Sequence, residues 1–369
     1  VDQPPFDKSA MDGYAWKAAS PSSFEASSPL RVTSTVAAGA APSLCPGSDE
    51  CVRIMTGAPI PIGANAVQRV EWTSEAVGGN NDSIVTFTRV ESISNIIRRG
   101  ENQRAGDLLL SPRALSPQDI GLLASSGYSS VEVARRPVVG VLSTGDELEC
   151  PGPGPSDGLR PGAIYDSNGP QLSAQAEAMG CEVRRYGVVR DEPGLLETAV
   201  ARALEECDVL LVSGGVSMGN FDYVPRALMA AGVERLFHGL AMKPGKPTFF
   251  GRRGRKAAFG LPGNPMSTFV NFEILVRPHL YRRMGLERGA RVLPAVLAST
   301  IARQECDRVE FLPARLDRAP SGELAVRPLP YHGSSMLSVL SVADCLIEVG
   351  IGVSRLEAGR RIDARLLGA

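Results

Sequence analysis

Aromatic side chains are scarce, at 5% of 369 residues, so few bulky anchors are available to build cores. A surplus of one charge is also missing. The 39 Lys and Arg face 40 Asp and Glu, for a formal net charge of −1, which removes the broad positive surface that nucleic-acid binding relies on. No stretch reaches the ~18 consecutive apolar residues of a membrane-spanning helix. The opening Val1-Asp-Gln-Pro-Pro5 has neither the basic start nor the apolar run of a signal peptide. The seven cysteines are scattered and never spaced C-x-x-C, which argues against a zinc framework or a disulfide scaffold. His238, His279 and His332 are too far apart to form a ligand motif. The chain is therefore expected to be cytoplasmic, with reduced thiols and with neither nucleic acid nor membrane as partner. Its abrupt start at Val1 is expected to follow a missing N-terminal segment.

Glycine and proline, by contrast, are plentiful, at 39 and 28 residues. They imply many tight turns and loops that approach a small ligand closely, so any bound anion must be held locally. At roughly 100–200 residues per domain, the length predicts two to four domains. Residues 1–103 carry β-branched runs at 31–36, 67–72 and 83–90 between Gly, Pro and Ser clusters, the spacing of a β-rich module. Residues 104–136 form a connector in which Ser116 and Asp119 make a helix-start signal and Gly127 a stop. Over 137–288, apolar strands alternate with amphipathic helices: strands at 138–142, 183–189 and 209–212, and helices at 170–179, 195–206, 224–231 and 266–281. That alternation predicts an α/β three-layer domain with a mostly parallel sheet, binding ligands beyond the strands' C-terminal ends. Residues 289–369 return to strand-like segments and read as a small C-terminal β barrel. The run 151–161 reads as a surface loop only.

Three polar loops follow edges of the predicted sheet. Ser143-Thr-Gly-Asp-Glu147 presents Ser143, Thr144, Gly145 and two carboxylates, Asp146 and Glu147, where a ligand would sit; a polar capped turn has the same composition. Ser213-Gly-Gly-Val-Ser-Met-Gly219 has the glycines of an anion-binding nest, with Ser213, Gly214, Gly215, Ser217 and Gly219 as candidates, yet matches neither a P-loop nor a dinucleotide fingerprint. Leu261-Pro-Gly-Asn-Pro265 leads into a helix whose free N–H groups suit phosphate, which makes Pro262, Gly263, Asn264 and Ser267 candidates. Between the last two, Lys243-Pro-Gly-Lys-Pro247 restrains Lys243 and Lys246 close together, either as an oxyanion site or as a solvated basic turn. In the first module, Asp12 and Thr56 can present oxygens to a cation or a ligand.

Taken in order with Phe6-Asp-Lys-Ser-Ala-Met-Asp-Gly-Tyr-Ala15 and Met55-Thr-Gly-Ala-Pro59, these motifs resemble the molybdopterin molybdenumtransferase (MoeA) family, which includes the gephyrin E domain. The resemblance covers essentially the whole chain. It implies insertion of molybdate into adenylylated molybdopterin with release of AMP, Mg2+ assisting, in a homodimer whose site is shared between subunits. Other molybdenum-cofactor biosynthesis or acceptor proteins are implied as further partners. The family's acidic positions fall on Asp12, Glu147, Asp191 and Asp222, with Asp222 and Glu147 the magnesium candidates. Its molybdate positions fall on Lys243, Lys246, Ser267 and Ser334, and the backbone of Gly214, Gly215, Gly219 and Gly263 would cradle phosphate.

Two departures stand out. Gly100-Glu-Asn102 carries an amide where members often have an aspartate, and Glu310-Phe-Leu-Pro313 has proline where some have arginine, leaving Arg308 or Arg315 to supply the charge. The resemblance further implies a helical segment before Pro4, which is expected to be missing here. Two other functions fit parts of the pattern: molybdopterin adenylylation, usually performed by the α/β domain alone, and a non-catalytic gephyrin-like scaffold.

Overall fold

A computed structural model describes residues 1–18, 29–41, 47–77, 82–89, 93–152, 158–216, 223–287, 289–304, 306–319 and 321–368. The chain divides into two compact units, Val1–Glu132 and Val133–Ala369.

The first unit is built on a six-stranded sheet of β1 (Gly13–Trp16), β2 (Leu30–Val36), β3 (Glu50–Ile54), β4 (Ala66–Arg69), β5 (Thr73–Val77) and β6 (Ser83–Phe87), in the order β4-β1-β3-β2-β6-β5. Gly13 is dictated by packing, because a Cβ there would lie 1.9 Å from the Gln68 carbonyl oxygen of neighbouring β4. The strand expected over 67–72 stops at Arg69 and turns into a short 3-10 helix, Val70–Trp72. There the Trp72 ring lies under the guanidinium groups of Arg69 and Arg89, 4.2 and 4.1 Å from its centroid. Helix α1 (Pro117–Ser125) starts as its sequence signal requires: Asp119 N–H donates to Ser116 Oγ, and Ser116 N–H to the Asp119 carboxylate.

The second unit begins with a six-stranded sheet whose centre is parallel. Strands β7 (Val138–Thr144) and β9 (Val209–Ser213) are buried along their whole length, as continuous apolar runs in a covered parallel sheet should be. With β8 (Glu182–Val189), β10 (Glu234–His238), β12 (Phe249–Arg253) and β13 (Lys256–Leu261), the order is β8-β7-β9-β13-β12-β10. The side chains of β7 alternate between faces. Leu142 packs with Leu196, Val200 and Leu204 of α3 (Pro193–Glu206), and Val141 with Leu172 of α2 (Asn168–Ala178). Strand β12 runs antiparallel to both of its neighbours, β10 and β13, which the strand–helix alternation did not predict. The tight Arg253-to-Lys256 hairpin explains the β12–β13 pairing, since a parallel return needs a crossover of a dozen or more residues.

After α4 (Val224–Ala230), the expected long helix over 266–281 is continuous but not uniform. It runs as α5 (Pro265–Asn271), a π-helical turn (Phe272–Val276) and α6 (Arg277–Arg283). The remaining strands, β14 (Val292–Leu297), β15 (Val309–Arg318), β16 (Leu324–Pro328), β17 (Cys345–Val349) and β18 (Arg361–Leu366), close on themselves through β15–β17 pairing into the C-terminal β barrel. Strand β11 (Met242–Lys243), from the α/β part, pairs with β15 and so extends the barrel sheet. Among the described residues no helix is long and apolar enough to cross a membrane.

His279 of α6 packs edge-on against Phe250 and Phe259, and its buried Nε2 has no hydrogen-bond partner among the described residues. Burial, reinforced by Arg283 and Arg282, pushes its pKa down from 6.5 to about 4. The folded state keeps the ring neutral where the unfolded chain protonates it, so stability is lost as pH falls from about 6.5 toward 4. Replacing His279 by Phe is expected to flatten that part of the melting temperature against pH profile. Identical slopes for both proteins would exclude His279 as the cause.

Candidate active site

Parallel pairing sets the C-terminal ends of the central strands level. Ser143 of β7 lies opposite Ser213 of β9, and Ser213 opposite Leu261 of β13. The three polar loops that follow therefore leave the sheet side by side. They border a cleft of about 470 Å³, lined among others by Thr144, Gly145 and Glu147, by Ser213, Gly214 and Gly215, and by Pro262, Gly263 and Asn264. Asp191, after β8, closes one side. Its carboxylate accepts from Thr144 Oγ1 at 2.5 Å, while its N–H donates to Asp146 Oδ1 at 3.3 Å, so the two acidic loops brace each other.

Underneath is a polar layer that sequence reasoning missed. Asp166 accepts from Ser143 Oγ and from Gly169 N–H, both at 3.0 Å. Asn168, 7% exposed at the first position of α2, donates through Nδ2 to Ser213 Oγ at 2.8 Å and to the Gly263 carbonyl at 2.6 Å. One amide thus ties together three segments of the cleft. Its Oδ1 is buried without a partner among the described residues, an acceptor available to a ligand N–H. Tyr165-Asp-Ser-Asn168 carries the residue types of a helix cap, the signal that a helix start placed at 170 overlooked. The loop over 151–161 is largely exposed where described, as expected, with 153–157 outside the described residues. Beyond it Ile164–Tyr165 pairs with Leu148–Glu149, and Leu148, Ile164 and Tyr165 line the cleft.

Several expectations change in detail. The Gly214 N–H is taken by the Leu261 carbonyl at 3.0 Å, so Gly214 is not a phosphate donor. Its role is space, because a Cβ would lie 2.1 Å from the Thr144 carbonyl oxygen and φ is +99°. The start of α5 is also less open than expected: Pro265 has no N–H, and Met266 N–H donates to the Ser334 carbonyl of the barrel at 3.1 Å. Lys243 and Lys246 are not an equivalent pair of free cations. Lys243 Nζ lies 3.0 Å from Glu310, itself 4% exposed, whereas Lys246 is exposed. Arg303 also reaches Glu310, at 3.5 Å. Lys243, Lys246, Ser267 and Ser334 do not line the cleft, although Pro247 and Ser335 beside them do.

Asp222, Ser217 and Gly219 lie outside the described residues. In the first unit Asp12 and Thr56 do come together. Asp12 Oδ1 accepts from Thr56 N–H at 2.6 Å and from Thr56 Oγ1 at 2.7 Å, bonds that hold its carboxyl below the usual range. Asn102, the amide in place of an aspartate, donates its backbone N–H to the Gln3 carbonyl.

Comparison with known proteins gives three family matches: the MoeA N-terminal region (domain I and II) over residues 1–127, a probable molybdopterin binding domain over 140–282, and the MoeA C-terminal region (domain IV) over 294–367. The chain is 32% identical to the molybdopterin molybdenumtransferase of Staphylococcus aureus (strain Mu50 / ATCC 700699), covering 98% of this chain and 85% of that protein. It is 33% identical to that of Bacillus subtilis (strain 168), covering 99% and 84%. The crystal structure of the molybdopterin biosynthesis moeA protein from Pyrococcus horikoshii OT3 superposes with a TM-score of 0.80 at 29% identity, covering 100% of this chain and 89% of that one.

The crowding at Gly214 yields a paired prediction. Gly214→Ala is expected to cost more than about 2 kcal/mol, from positive-φ strain plus displacement of Thr144. Gly263→Ala, whose Cβ meets only Gly214 Cα at 3.7 Å, is expected to stay near neutral in the same denaturant titration. Equal losses would refute the close approach of the two loops.

Proposed function

The chain belongs to the molybdopterin molybdenumtransferase family of molybdenum-cofactor biosynthesis, and from that premise we propose that it inserts molybdate into adenylylated molybdopterin with release of AMP. The observation that carries this proposal is the cleft in which the Thr144–Glu147, Ser213–Gly215 and Pro262–Asn264 segments meet. A phosphate in it is held by the backbone of Gly215, at φ +55°, and of Gly263, with the positive end of the α2 dipole behind it. The unpartnered Asn168 carbonyl suits an N–H of the pterin. Lys246 takes the larger share of the molybdate charge, because Lys243 is already paired with Glu310. Ser267 and Ser334 complete the molybdate position in this proposal.

Mg2+ fits the residues present. Among the described residues no group of three or more His, Cys, Asp or Glu could hold a metal by itself. Mg2+ is commonly held by only one or two carboxylates together with substrate phosphate oxygens, and Glu147 lines the cleft. Glu147 and Asp222 are the proposed ligands, and the ion supplies charge neutralisation at the phosphoanhydride when bound. The chain's own groups bind and orient: Thr144 fixes Asp191, and Asn168 ties Ser213 to Gly263. A homodimer working in the cytoplasm completes the proposal.

With adenylylated molybdopterin, molybdate and Mg2+, the purified protein is expected to release AMP and to yield cofactor that reconstitutes a molybdoenzyme. Absence of AMP release, with ATP-dependent adenylylation of molybdopterin instead, would overturn the assignment. Asp222→Asn is expected to keep pterin binding and lose AMP release on the order of 100-fold. Unchanged release in that variant would remove Asp222 from the machinery.

A further inference from the structure

A second cavity, of about 380 Å³, opens between the helical layer and the barrel, lined by Glu273, Arg277, Tyr281, Arg291, Arg365 and Leu366 among others. It shares no lining residue with the cleft. Arg277 lies twelve residues beyond Pro265, roughly 18 Å farther along the same continuous helix.

Three of these six residues are arginines, Arg277, Arg291 and Arg365. Glu273 is the one acid among these six residues, and its oxygens already receive Arg277 Nε at 2.7 Å, Arg277 Nη2 at 2.9 Å and Gln175 Nε2 at 2.7 Å. Arg365 reaches outward to Glu348, with Nη2 3.2 Å from its carboxylate, and lies over the Phe311 ring. Two donors are then left over: Arg277 Nη1 and Arg365 Nε are buried without a hydrogen-bond partner among the described residues. Such unmet groups on two cations beside one cavity are the mark of a missing acceptor. The elements that carry them hold the arrangement in place. Arg277 is on α6, Arg365 is on β18, and the Leu366 N–H donates to the Arg291 carbonyl at 2.8 Å.

We propose that this cavity binds a small ligand through a phosphate-type oxyanion, which accepts hydrogen bonds from Arg277 and Arg365. Arg291 adds charge at the exposed side, and Leu366 with the ring of Tyr281, whose hydroxyl interacts with Arg277, forms the wall for the rest of the ligand. Planar guanidinium groups suit such an anion because they present several N–H bonds in a fixed fork. A ligand there bridges the α/β part and the barrel, which share this wall.

Inorganic phosphate is the probe. In crystals of the full chain soaked with it, density is expected against Arg277 and Arg365. Density in the cleft alone, or water alone in the cavity, overturns the proposal. By titration calorimetry at low ionic strength, the combined Arg291→Gln and Arg365→Gln changes are expected to weaken phosphate binding at this cavity at least about tenfold; unchanged affinity overturns it. Arg291 is exposed, so Arg291→Gln alone keeps the fold and is expected to weaken binding about threefold. The soak on unmodified protein depends on no variant.

Discussion

The in-register pairing of three parallel strands, with Ser143, Ser213 and Leu261 side by side, is the constraint on which the rest of the site depends. It sets the starting points of the loops, and close packing does the rest. Gly214 fits only without a side chain under the Thr144 carbonyl, Thr144 holds Asp191, and Asn168 joins Ser213 to Gly263. A slip by one residue would turn every buried side chain of β9 to the opposite face and separate the loops. The apolar clusters on the two faces of the sheet, carrying Leu142 on one side and Val141 on the other, fix that register.

The barrel takes part in the same arrangement. Its β15 pairs with Met242–Lys243, its Glu310 holds the Lys243 ammonium, and its Ser334 carbonyl takes an N–H at the start of α5. Met242, Met266, Val270, Phe311 and Leu346 form one apolar cluster drawn from both parts. The lysine loop is thus positioned by two folds together. Its first lysine is structurally engaged, and its second is presented to solvent.

Much of this was legible in the sequence, because burial and pairing leave simple patterns. The runs at 138–142 and 209–212 are apolar along their length and become the sheet centre. Ser116 and Asp119 cap their helix reciprocally, and the glycine-rich and proline-rich loops mark the cleft edges. What was not legible is three-dimensional partnership. Nothing local shows that the Gly214 N–H is taken by Leu261, that Lys243 meets Glu310, or that Arg303 reaches that acid. Asn168 and Asp166 were overlooked because the apolar spacing set the helix start at 170, although the helix begins at Asn168 on the cleft floor. Strands β10, β12 and β13 escaped because each leaves only three to five residues free of charge, too short a run to show a period.

The most direct test of the central claim is a crystal structure of the protein with adenylylated molybdopterin. The account predicts phosphate oxygens against Gly215 and Gly263, between the Thr144–Glu147 and Pro262–Asn264 segments, with the Asn168 carbonyl engaged by the ligand. Ligand bound elsewhere on the chain, with this cleft holding only solvent, would contradict it.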